Sequence, residues 1–267
     1  MTRTTPHGLG CKLLPAHAHK GLRTAPTDPE AGLALAIPAS VDQAIAFDRI
    51  YNQGKLGSCV TNAGGGCGAA LLVDQALGGW DPARLALYRE CLQADGTFPN
   101  DDGTSLETFV EVARTHGLGA PEGLYPYSDL LGDLAAQDAP DYAARAGRVR
   151  LVNVDPIALD RRSIQWEIAS GSKILFAMEL HQSFEAIGAD GIVPLPSGSD
   201  PAIGGHAQRG VGYGVDLDAR APDYLKTANS WGRSFGRNGY VYWPWELIED
   251  PTVCRGVYAL RALQGLS

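Results

Sequence analysis

No run of 18 consecutive apolar residues occurs anywhere in the chain, so nothing in it is long enough to span a bilayer as a helix. The opening Met1-Thr2-Arg3-Thr4-Thr5-Pro6 lacks the apolar centre of a secretory signal. Positive charge is also short: 22 Lys and Arg face 30 Asp and Glu, for a net charge of −8. That balance argues against a nucleic-acid backbone or an anionic membrane as the main partner. A disulfide framework is missing too, because five cysteines at irregular spacing leave one unpaired. Cys59 and Cys67 stand eight residues apart on one expected helix, a rise of roughly 12 Å, and cannot bridge. Cys11, His17 and His19 find no fourth ligand at a recognised spacing, so neither a metal nor any other cofactor is expected. A reducing, cytoplasmic setting fits these absences best, with a virion or a non-classically exported protein as the alternatives.

What is present can bury a sizeable core: 267 residues with 45% hydrophobic content suit one domain of two lobes or two small domains. Residues 1–40, rich in Pro, Gly, Thr and Ala without sustained period, read as an extended arm or short leader. Residues 41–147 read as mainly helical. Val60, Ala63, Cys67, Leu71 and Leu72 mark one helix with a stop at Gly78-Gly79. Asp81-Pro82 opens another, and Thr104-Ser105-Leu106-Glu107 is a capping box for a third. Gly64-Gly65-Gly66 conflicts with the first helix, each glycine costing about 1 kcal/mol against alanine, which implies that another element presses on that face. Residues 148–267 read as mainly β, with apolar runs at Val149 to Val154, Ile174 to Leu180, Ala207 to Val215, Tyr224 to Ser230, Gly239 to Tyr242 and Val253 to Leu260. A helix is expected between the first two, capped at Asp155-Pro156 and ending near Gly171.

Three stretches carry chemistry. Gln53-Gly54-Lys55-Leu56-Gly57-Ser58-Cys59 closes onto a helix start, where unpaired N–H groups and the helix dipole favour a thiolate. Gly204-Gly205-His206-Ala207 leads into a strand, and Asn229-Ser230-Trp231-Gly232 follows another. In the order Gln, Cys, His, Asn these blocks resemble the papain-like cysteine peptidases. In that family the histidine follows the cysteine by about 130–150 residues. His206 falls within this window, and Asn229 lies beyond it because Asp216 to Asp223 reads as a lengthened hairpin loop.

The resemblance implies an α+β, two-lobed fold, a helical lobe packed on an antiparallel sheet or barrel, with the active-site cleft between them. It implies a thiol hydrolase in which Cys59 attacks, His206 shuttles the proton, Asn229 orients the imidazole and Gln53 donates to the oxyanion. Gly57, Ser58, Gly103, Gly205 and Trp231 are carried over as substrate contacts, with Trp231 also shielding the Asn–His bond from water. Leu56 stands where secreted relatives usually have a disulfide cysteine. The expected partner is a peptide or protein substrate. Two alternatives remain: a papain-fold assembly subunit tied to neighbours through the arm, with little turnover, or an acyl transferase that passes the acyl group to an amine or thiol.

Overall fold

The computed structural model describes residues 7–15, 36–136 and 149–265. His17, His19 and the 147/148 boundary expected between the lobes lie outside these residues.

Helix α1 (Cys59–Asp74) is the centre of the molecule, and every residue from Cys59 to Leu72 is buried. A helix enclosed all round needs small residues wherever a neighbour comes close. A Cβ on Gly64 would lie 2.4 Å from the Phe109 ring, one on Gly68 2.8 Å from Leu118, and one on Gly66 3.2 Å from Tyr51. The glycine run is therefore the imprint of Phe109, Tyr51 and, at Gly65, Arg84, with Leu118 pressing one turn on at Gly68. Gly64→Ala should lower the unfolding free energy by about 1–2 kcal/mol, because overpacking against fully buried Phe109 outweighs the gain in helix propensity. Chemical denaturation checks this, and Phe109→Leu in the same chain should restore part of the loss.

The ends of the helices differ from expectation in three places. Helix α1 stops at Asp74, where the Gln75 N–H bonds to the Leu71 carbonyl and Ala76 turns into the left-handed region at φ 53°, ahead of Gly78-Gly79. Helix α2 (Arg84–Ala94) begins past Asp81-Pro82, since the Asp81 carboxylate is taken by Arg49 and by the Tyr51 hydroxyl. Helix α3 (Leu106–Thr115) is capped by Ser105, whose hydroxyl accepts from the Thr108 N–H, and Glu107 turns away to the Tyr258 hydroxyl. Helix α4 (Leu131–Ala136) completes the helical lobe.

The second half is an antiparallel sheet. Strands β2 (Val149–Pro156), β3 (Lys173–His181), β4 (Ala202–Tyr213), β5 (Tyr224–Ala228), β6 (Tyr240–Pro244) and β7 (Cys254–Gly265) lie in the order β2-β7-β3-β4-β5-β6, and the short β1 (Val41–Asp42) joins β4. Asp155-Pro156 ends β2 rather than capping a helix; Asp160 caps α5 (Arg161–Ala169) by accepting from the Ser163 N–H. Helix α6 (Trp245–Glu249) precedes β7.

One sheet face packs on α1 and α3 through Cys67, Phe109, Leu175 and Leu260, and the other buries Phe176, Phe184, Trp231 and Trp243. Each such side chain contributes about 1.5–3 kcal/mol on full burial. Because α1 lies directly against β4 and β3, the start of α1 and the middle of β4 are brought together. Among the described residues no helix is long and apolar enough to cross a membrane, and no cluster of three metal-ligating side chains occurs.

Candidate active site

The start of α1 is held by a chain of buried polar groups. Arg84 is wedged between the rings of Tyr51 and Tyr127, 4.0 and 4.3 Å from their centroids. It donates twice to Glu122 at 2.7 Å and also to the Asn62 side-chain oxygen. Asn62 Nδ2 donates to the Ser58 carbonyl at 2.9 Å and to Ser58 Oγ at 3.0 Å. Ser58 Oγ meets the Tyr127 hydroxyl at 2.6 Å, which donates onward to the Gln53 carbonyl at 2.9 Å. Ser58 thus uses its hydroxyl inside the protein, and the structure does not bring that side chain to the cleft.

Gln53 is fully buried, and its amide orientation is set at both ends. Ser230 Oγ donates to Gln53 Oε1 at 2.5 Å, so Nε2 faces the opposite way, donating to the Leu56 carbonyl at 2.9 Å and the Gly8 carbonyl at 3.0 Å. Across the cleft, His206 on β4 donates from Nε2 to Asn229 Oδ1 at 2.8 Å. Trp231 lies over this pair with its ring 5.0 Å from the imidazole, and both side chains are almost wholly buried.

The cleft is filled by the chain's own residues 7–13. The Gly8 N–H bonds to Gly54 O at 3.0 Å, Cys11 N–H to Gly205 O at 3.1 Å, and Lys12 N–H to Thr104 O at 2.9 Å. Thr104 N–H returns a bond to Gly10 O at 2.8 Å, so Cys11 pairs with Thr104 in parallel. His7 stacks on Trp231 at 4.5 Å. The fit depends on missing side chains: a Cβ on Gly8 would lie 2.0 Å from Leu56 O, one on Gly10 1.9 Å from Gly57 O, and one on Gly103 2.0 Å from Gly10 O. Gly103, at φ +71°, is therefore needed for clearance, and Thr104 beside it makes the backbone bonds. Gly57 lies beneath Gly10, held by its N–H on the Asp101 carboxylate at 2.9 Å.

This enclosure reverses the electrostatics expected at the helix start. Burial pushes the Cys59 thiol up, opposed by N–H groups of Ala207, Gly10, Val60 and Cys59 itself. Burial likewise pushes His206 down to about 4, with the Asn229 bond acting in the opposite direction. Both groups favour their neutral forms here, where the helix dipole alone led to a thiolate. His206 Nδ1 is buried and makes no hydrogen bond, while the Cys59 sulfur accepts from the N–H of Ala207, the residue that follows His206.

Comparison with known proteins gives the same picture. The sequence profile of the papain family cysteine proteases matches residues 37–246. The chain belongs to the papain family. Its relatives include an uncharacterised peptidase C1-like protein, L477, of Acanthamoeba polyphaga mimivirus, 26% identical over 79% of this chain and 68% of that one. Mouse cathepsin J is 30% identical over 72% of this chain and 55% of its own length. The chain thus spans about half to two thirds of these two relatives. Among solved structures, the cysteine protease xylellain of Xylella fastidiosa superposes with a TM-score of 0.82 at 22% identity, covering 99% of this chain and 98% of that one. The α+β papain fold expected from the sequence is the fold observed.

Other residues of this papain-family site had weaker signals in the sequence. Ser230, Tyr127 and Gln208 were visible only as neighbours within family-like stretches, with no role of their own. Of the aromatic and basic residues around Trp231, Phe235 packs edge-on against its ring at 4.8 Å, while Arg233 and Arg237 turn to Asp48 and to the Asp216 carbonyl.

Proposed function

We propose that this papain-family chain is a latent cysteine peptidase, which hydrolyses peptide bonds through an acyl-enzyme once residues 7–15 leave the cleft. The observation that carries the reading is a polypeptide already lying extended through the site, with its Gly8 carbonyl on the Gln53 amide. That carbonyl oxygen accepts from Gln53 Nε2, one of the two donors that the oxyanion would use.

In the open cleft, water reaches the dyad and the burial that favours both neutral forms is relieved. Cys59 passes its proton to His206 Nδ1, and the sulfur attacks the substrate carbonyl carbon. The oxyanion is held by Gln53 Nε2–H and the Cys59 N–H. His206 then protonates the leaving amine as the C–N bond breaks. A water, deprotonated by His206, attacks the thioester, and the thiol leaves with its proton restored. The assembly alternative needs an arm free to reach a neighbour, yet residues 8–12 bond to Gly54, Thr104 and Gly205 of their own chain.

The test is alkylation of the arm-displaced protein by iodoacetamide, mapped by mass spectrometry, beside hydrolysis of a fluorogenic peptide library. Cys59 should be modified well ahead of Cys67, Cys91 and Cys254, which are fully buried; burial raises the Cys67 and Cys254 thiols to about 12. Equal labelling of these four, or library cleavage surviving in Cys59→Ala, would overturn the peptidase reading. Adding free amines during turnover separates hydrolysis from acyl transfer by product mass.

A further inference from the structure

We infer that Gln208 is a positioning residue that fixes which way Asn229 points, and through Asn229 which nitrogen of His206 carries the proton. Gln208 stands two positions after His206 on β4, so both side chains leave the same face of the strand. It is fully buried. Its Oε1 lies 2.8 Å from Trp243 Nε1 and 2.8 Å from Thr227 Oγ1. An indole N–H can only donate, so the oxygen end of the Gln208 amide must face Trp243. The hydroxyl of Thr227 also lies 3.1 Å from the Val241 carbonyl and has one proton to share, which leaves Trp243 as the group that decides the orientation.

The other end of Gln208 then has no choice. Nε2 points at Asn229 Oδ1, 3.3 Å away. A flipped Asn229 would set its NH₂ against that of Gln208, donor against donor, at a site where both side chains are buried. Asn229 therefore keeps its oxygen toward the ring and accepts from His206 Nε2 at 2.8 Å. The imidazole proton is held on Nε2. Nδ1 remains bare, the nitrogen that makes no other hydrogen bond and the one the thiol proton must reach. The relay runs from Trp243 through Gln208 and Asn229 to His206, and Gln208 touches neither substrate nor sulfur.

This inference rests on the peptidase reading, and its test is chosen to fail separately. In the arm-displaced protein, Gln208→Met removes the donor and should lower kcat about tenfold or more, a fraction of the 10²–10⁴ that positioned acid–base catalysis supplies, with KM little changed. Gln208→Glu keeps an acceptor for Trp243 and Thr227 but offers Asn229 no hydrogen while ionised. Its kcat should be low at neutral pH and recover as the pH falls and the carboxylic acid regains a proton to donate, a profile that a packing role would not produce. In a double-mutant cycle, Gln208→Met should add nothing to the loss already caused by Asn229→Ala. Full kcat in Gln208→Met, or losses that multiply in the double variant, would overturn the role of Gln208 while leaving the peptidase reading intact. Absence of selective labelling at Cys59 would remove both. If Gln208→Met does not fold, the pH profile of Gln208→Glu decides alone: recovery supports the relay and a flat profile rejects it.

Discussion

Gly10→Val is expected to raise peptidase turnover at least tenfold over the parent chain, measured on any peptide that the parent cleaves slowly. The side chain has nowhere to go: its first carbon would fall 1.9 Å from Gly57 O and 2.4 Å from Gly57 Cα, and both are backbone. The arm must lift, releasing the Gly8, Cys11 and Lys12 hydrogen bonds with it. Overpacking costs about 1–3 kcal/mol, and each 1.4 kcal/mol shifts the docking equilibrium about tenfold toward the open cleft. Unchanged activity in a folded Gly10→Val protein would mean that the arm does not gate the cleft.

Acid should act in the same direction. Burial lowers the pKa of His7, with Glu185 acting against it, and lowers that of His206 to about 4. Both histidines therefore bind protons more readily with the arm undocked. Docking is at full strength above the ordinary histidine value near 6.5 and weakens as the pH falls from there toward about 4. Arm release, followed by proteolytic susceptibility of residues 7–15, should increase across that window and be blunted in His7→Phe.

The second large effect is at the thiol. Cys59→Ala in the arm-displaced protein should lower kcat by about 10⁴ or more, since the covalent route is lost and only binding and the oxyanion donors remain. Gln53→Ala should cost about 10²–10³ in kcat by removing one of those donors. The two should differ in kind as well as size. Gln53→Ala keeps a nucleophile and still accumulates labelled Cys59, whereas Cys59→Ala takes up no label there.

Much of this site was legible in the sequence because it is made of short blocks with fixed order. Gln53, Cys59, His206 and Asn229 each sit in a stretch whose residues resemble one family, and the glycine run in α1 pointed correctly to close neighbours. Element boundaries were harder to read. Asp81-Pro82 and Asp155-Pro156 have the form of helix starts, but Asp81 is claimed by Arg49 and Tyr51, and Pro156 continues pairing with Tyr258. Such outcomes depend on partners far away in the chain, which local pattern does not contain. The state of the dyad was hidden for the same reason. A helix start predicts an acidic thiol, and only the folded surroundings reveal the burial that pushes it up instead. Gln208 stood in the His206 stretch without a role, because nothing local shows that Trp243 and Thr227 lie beside it.

The order in which a ribosome delivers these parts has its own meaning. Residues 7–15 emerge before Cys59 and long before His206, so the segment that covers the cleft is already waiting when the two halves of the dyad first meet.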